Sequence, residues 1–165
     1  MTRPRDSQQS KLYRAEVAAF GESREEFGSV GEMQAYIDQT LRTRWFRNRW
    51  RTKRVTVTDG RMRRRGGASY SYAGWDPGWQ LKMPRRTRCE WYLLHELAHV
   101  VTPGHCASHG REYARNYLAL VRRFMGEDAH VKLRDSFRKH KVKWHPKRSP
   151  QPGRVPPWLK KEVAA

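Results

Sequence analysis

Acidic residues, cysteine and long apolar runs are all scarce in this chain, and each scarcity excludes something. Only 16 Asp and Glu face 35 Lys and Arg, a net charge of +19 with His neutral. That imbalance is the footprint of a partner rich in phosphate or other anions, so DNA or RNA is expected. The plainer reading is solubility, or a general tilt towards Arg. Cys89 and Cys106 are the only cysteines, too few for a disulfide framework, which points to a reducing, cytoplasmic setting. No apolar run approaches the roughly 20 residues that span a bilayer, so no membrane role is expected. Residues 1–10 are basic but hold no apolar h-region, so no signal peptide is expected either. At 165 residues the chain has one domain's worth of sequence and a single modest core.

What is present is His95-Glu96-Leu97-Ala98-His99, an H-E-x-x-H pattern in a stretch with strong helical character. Positions i and i+4 of a helix project from one face, so the two imidazoles can reach a single Zn²⁺ at about 2.0–2.1 Å. Glu96 falls beside the ion rather than on it, where a carboxylate suits a general base acting on water. The surrounding residues Trp91, Leu93, Leu94, Leu97, Ala98, Val100 and Val101 are apolar nearly all round, which predicts a helix through the core. Two His and a Glu buried there need partners, and a metal supplies them.

The elements around this helix predict an α+β fold. Residues 8–20 carry Leu12, Val17 and Phe20 among polar residues, a short helix stopped at Gly21. Ser29-Val30-Gly31-Glu32 reads as a capping box, opening a helix with Met33, Ile37 and Leu41 on one stripe that fades near Trp45. Three strands are predicted next, over 53–58, 68–72 and 79–83, with turns at Asp59-Gly60 and Gly74 to Gly78. They suggest a small three-stranded antiparallel sheet. Thr87-Arg88-Cys89-Glu90 reads as a second capping box, ahead of the buried helix over about 88–101. Helices over 110–125, with Gly126 as its C′ residue, and 127–139 complete a domain spanning 1–140. From Lys141 to Ala165 proline alternates with basic residues, which predicts an extended or disordered tail.

Catalytic zinc usually takes three protein ligands. His105 lies six residues after His99, the metzincin spacing, but Thr102 stands where that pattern needs a turn glycine. His109 lies ten after His99 and opens His109-Gly110-Arg111-Glu112-Tyr113 at the start of the next helix, where a ligand is better held. His109 is therefore preferred, with His105, Cys106 or a distal acid as alternatives. The H-E-L-A-H helix, short loop and H-G-x-E-Y helix start together resemble the SprT-like zincin metallopeptidases. More closely they resemble a metallohydrolase family of actinobacteria and their phages, a likeness extending through residues 120–126 to Val142-Lys143-Trp144. The resemblance implies a minimal zincin-like domain, zinc on His95, His99 and His109, Glu96 as base, and a peptide or protein substrate held along a sheet edge by strand addition. It implies the cytoplasm as location, the host's for a phage-encoded chain, and a working place near DNA. The cysteines of a zinc ribbon, which some relatives carry, are missing.

Eleven basic residues and one acid, Asp59, lie between Arg42 and Arg65, with Trp45, Phe46 and Trp50 among them. Cations beside aromatics are the parts of a nucleic-acid surface, here Arg44, Arg47, Arg49, Trp50, Arg51, Lys53, Arg54, Arg63, Arg64 and Arg65. The competing reading makes the aromatics core residues and the arginines a solvated face. The expected function is a zinc metallopeptidase. The alternative is a nucleic-acid-binding protein with a structural or vestigial zinc site.

Overall fold

The computed structural model describes residues 6–51, 54–60, 69–73 and 78–145. Lys53, Arg63, Arg64 and Arg65, the turn at 74–77 and the tail from 146 onward lie outside the described residues. Within them the order is α1 (Gln9–Phe20), α2 (Val30–Arg42), α3 (Arg44–Arg49), β1 (Val55–Asp59), β2 (Ser69–Ala73), β3 (Gly78–Met83), a 3-10 turn (Arg85–Thr87), α4 (Glu90–Val101), α5 (Arg111–Phe124) and α6 (Glu127–Lys139). The fold is α+β. Among the described residues no helix is long and apolar enough to cross a membrane.

α4 runs through the middle, with every residue from Leu93 to Val101 buried. It packs on α5 and on β2 and β3; α6 packs on α1 and α5, and α2 lies against β1. Leu12 and Ala15 of α1, Met33 and Ile37 of α2, Val55 and Val57 of β1, and Leu81 and Met83 of β3 join one core with α4 and α5. The apolar patterning of α2, β1 and α4 is carried inward, whereas Val17 of α1 is 48% exposed and Ala15 and Glu16 take the buried face instead.

The sheet is mixed rather than antiparallel. Its order is β1-β3-β2, with β1 parallel to β3 from Val55 opposite Trp79 to Asp59 opposite Met83, and β2 antiparallel to β3. The Asp59-Gly60 pair, which reads as a hairpin turn, serves another purpose. A Cβ on Gly60 would sit 2.8 Å from Pro84 Cδ and 2.9 Å from Pro84 N. The glycine lets the end of β1 lie close against Pro84 at the end of β3, and β2, which runs opposite to β1, pairs with β3 rather than with β1. Alternation marks a strand but does not name its neighbours. The outer edge of β1 is closed by a side chain of α2: the Gln34 amide donates to the Val55 carbonyl at 3.0 Å and accepts from Val57 N–H at 2.7 Å. An amide standing in for a missing strand is one way to blunt an edge.

Helix ends also differ in detail from the sequence reading. Ser29 caps α2 as expected, accepting from Glu32 N–H at 3.1 Å, while the Glu32 carboxylate turns back to Gly28 N–H. The predicted cap at Thr87 is not one. Its hydroxyl donates to the Pro84 carbonyl and closes the 3-10 turn, and Cys89 stands at the N-cap of α4 without a side-chain bond. The helix start is capped from a distance, by Glu26, whose carboxylate accepts from Glu90 N–H at 2.9 Å. An acidic group there also meets the positive end of the helix dipole. At the other end, α5 stops before Gly126 as expected. Residues 141–145 pack onto the domain: Val142 is buried, and Lys143 bonds Gln8 through both its N–H and its carbonyl.

Candidate metal centre

α4 supplies His95 and His99 one turn apart, and the loop into α5 supplies His109. All three are buried, and one ligand nitrogen from each lies within 4.8 Å of the others. The Nε2 atoms of His95 and His99 are 3.3 Å apart. Two nitrogens each about 2.0–2.1 Å from one tetrahedral ion stand at that separation. His105 is exposed in the loop and does not join the group. Gly110 explains how the loop delivers His109: a Cβ there would lie 3.1 Å from both the Cβ and the carbonyl oxygen of Ala107. The glycine allows the tight turn that sets His109 at the mouth of α5.

Two carboxylates outside the motif complete the arrangement. His95 Nδ1 meets Glu16 Oε1 at 2.5 Å, and His109 Nδ1 meets Asp6 Oδ2 at 2.5 Å. A carboxylate on Nδ1 fixes the ring tautomer and orientation and raises the basicity of Nε2, the usual support behind a metal-bound imidazole. Gln8 holds the same corner, donating to the His109 carbonyl at 2.7 Å and to that of Lys143 at 3.1 Å. The donor set therefore fits Zn²⁺: three buried imidazoles, two of them oriented by acids.

Glu16 and Asp6 are absent from the sequence reading. Glu16 had a signal: it lies one turn after Leu12 and next to Ala15, on the buried face of α1, where a lone carboxylate needs a partner. Asp6 lies before α1 in a segment without periodicity and carries no such signal.

Glu96 is buried, with Oε1 4.0 Å from His95 Nε2. Burial pushes its carboxyl up to about 7, against the pull of His95 and with the push of Glu16. Burial disfavours a charged His95 ring, yet the Glu16 carboxylate outweighs it and, with Glu96, holds that ring above its usual pKa. The Tyr113 hydroxyl is committed to the backbone of α4, donating to the His95 carbonyl at 3.1 Å. Tyr117 likewise donates to the Trp91 carbonyl. Tyr13 of α1 brings a phenol to the surface of the centre, 41% exposed, its ring 5.7 Å from that of His95 and 5.2 Å from that of His109. Its oxygen accepts from Gln9 Nε2, which leaves its own proton to donate. Burial raises its pKa, so it remains a phenol.

The basic residues fall into a different region. Arg44, Arg47 and Arg49 are exposed along α3, and Arg51 and Arg54 are exposed beyond it. Phe46 is fully buried, while Trp45 and Trp50 are half-buried against the core and packed edge to face on each other. Arg49 lies over both indoles, 5.4 and 5.7 Å from their centroids. The aromatics are thus core residues on one side and cation partners on the other. Comparison with family models, with curated proteins and with solved structures returns no match, so the chemistry of this centre rests on its own geometry.

Proposed function

We propose that the chain is a zinc-dependent metallopeptidase of the SprT-like zincin kind, working in the cytoplasm. The observation that carries this reading is the convergence of His95, His99 and His109 with a buried Glu96 beside them and carboxylates behind two of the rings. A purely structural site has no use for Glu96, which costs free energy to bury and is not one of the grouped ligands. When bound, zinc supplies Lewis acidity to the scissile carbonyl and brings the pKa of water down to about 7. Glu96 takes a proton from the attacking water and passes it to the leaving amine as the C–N bond breaks, so one water is consumed per bond cut. Glu16 and Asp6 hold the imidazoles in place, and the Tyr13 hydroxyl donates to the oxyanion as it forms. The substrate lies as an added strand along β2, since Gln34 already engages the edge of β1.

The test compares wild type with Glu96→Gln, an exchange that keeps shape and removes the base. In a proteome digest, fragments should appear with wild type and not with the variant, while both proteins hold the same zinc. Identical fragment sets from the two would sink the hydrolytic reading and favour the alternative, a binding protein with a structural zinc.

A further inference from the structure

On the far side of α5 from the histidines lies a cavity of about 700 Å³, lined by Trp45, Arg49, Arg115, Arg122, Arg123 and Trp144 among others. Arg115, Ala119 and Arg122 succeed one another at helical spacing, about half a turn round α5 from Tyr113 and Tyr117, which face the metal centre. The helix body, about 10–12 Å across with its side chains, thus stands between the two sites.

Four arginines meet one acid here, Glu127, which is already taken by Arg122 at 2.6 Å and His130 at 3.1 Å. Arg115 and Arg123 are exposed. The two indoles are held firmly. Trp45 is wedged edge-on against Trp50 and Phe124, and Trp144 is tilted against Phe137. Guanidinium groups between rigid, half-buried aromatic walls are the parts that neutralise phosphates and stack bases. The volume lies within the roughly 300–1,000 Å³ of ligand pockets, enough for a nucleotide unit.

We propose that this groove binds single-stranded nucleic acid, with phosphates on Arg115, Arg122 and Arg123 and a base against Trp144. An acidic peptide would satisfy the arginines and leave the indole walls unused. The proposal stands apart from the hydrolytic reading: Glu96→Gln protein binds the strand as wild type does.

Anisotropy of a labelled oligothymidylate tests it with the full chain, over about 50 to 200 mM salt. Arg115→Ser with Arg123→Ser should weaken binding about tenfold or more and flatten the slope of log K against log salt by about 1.4, two contacts at 0.7 each. Arg44→Ser with Arg47→Ser, outside the groove, should cost less. Trp144→Leu should lower affinity and leave the salt slope unchanged, with Trp144→Phe recovering most of the loss; circular dichroism confirms that each variant is folded. Wild-type affinity in the Arg115/Arg123 variant would overturn the proposal. So would equal displacement by polyglutamate, by free AMP or by duplex, which would assign the groove to an acidic peptide, a free nucleotide or a duplex backbone.

Discussion

Glu16 and His95 form the pair on which the centre turns. Glu16 sits on the buried face of α1 and reaches the Nδ1 of a ring that the H-E-x-x-H pattern supplies 79 residues later. Outer carboxylates of this kind are worth about 10–100-fold in metal affinity. Glu16→Gln should therefore weaken zinc binding by about that factor in a chelator competition, with the fold intact; unchanged affinity would remove Glu16 from the site. Tyr13→Phe belongs to the same scale. It should lower kcat and leave KM and zinc content alone, whereas a merely packing role would move stability and not the kcat/KM split. The thiols give a third residue-level expectation. Cys89 is fully buried, and burial lifts its pKa to about 11, so its thiolate is scarce near neutrality. Cys106 is partly exposed, although burial raises its pKa too. A thiol reagent at about pH 8 should modify Cys106 alone in the native protein and both after denaturation. Protection of Cys106 that vanishes with chelator would place it at the metal.

At the scale of elements, helices were legible because their signals are local. The apolar stripe of α2, its Ser29 cap and the all-round apolar character of α4 each follow from residues a few positions apart. The ends and neighbours were less legible. Thr87 satisfies the capping pattern, yet its hydroxyl goes to Pro84, and the group that caps α4 comes from Glu26, 64 residues away. No local rule finds such a partner. Losing a helix cap costs about 1 kcal/mol, so Glu26→Ala should lower unfolding free energy by that amount in a denaturant titration. Thr87→Ala, which leaves the cap in place, should cost α4 less than Glu26→Ala does. The reverse order would restore Thr87 as the cap. The sheet shows the same limit: Val55 and Val57 mark β1, but its parallel pairing with β3 depends on Gly60 lying close against Pro84 and on Gln34 closing the opposite edge.

Over the whole molecule, the termini of the described chain and the buried helix meet at one corner. Asp6 and Gln8 hold His109, Gln8 also holds Lys143, and α4 carries the other two histidines. Metal binding and global stability should therefore be linked. Zinc at a thousandfold excess over its Kd adds about 4 kcal/mol to the folded state, or roughly 10 °C in Tm for a chain of this size. Chelator should lower the Tm of wild type by about that much and leave His109→Ala, already without its metal, unmoved. The charge belongs to this scale as well. Arg49 of α3 and Arg115, Arg122 and Arg123 of α5 line one groove while the acids Glu16, Glu96 and Asp6 gather at the metal centre, so the two proposed activities, anion binding and hydrolysis, should be separable by mutation.

Zinc content per chain tests the central claim most directly. Purified wild type and His105→Ala should each hold close to one zinc per chain by elemental analysis, and His95→Ala, His99→Ala and His109→Ala should each lose most of it. Near-stoichiometric zinc in folded His109→Ala, or none in wild type offered the metal, would contradict the three-histidine centre.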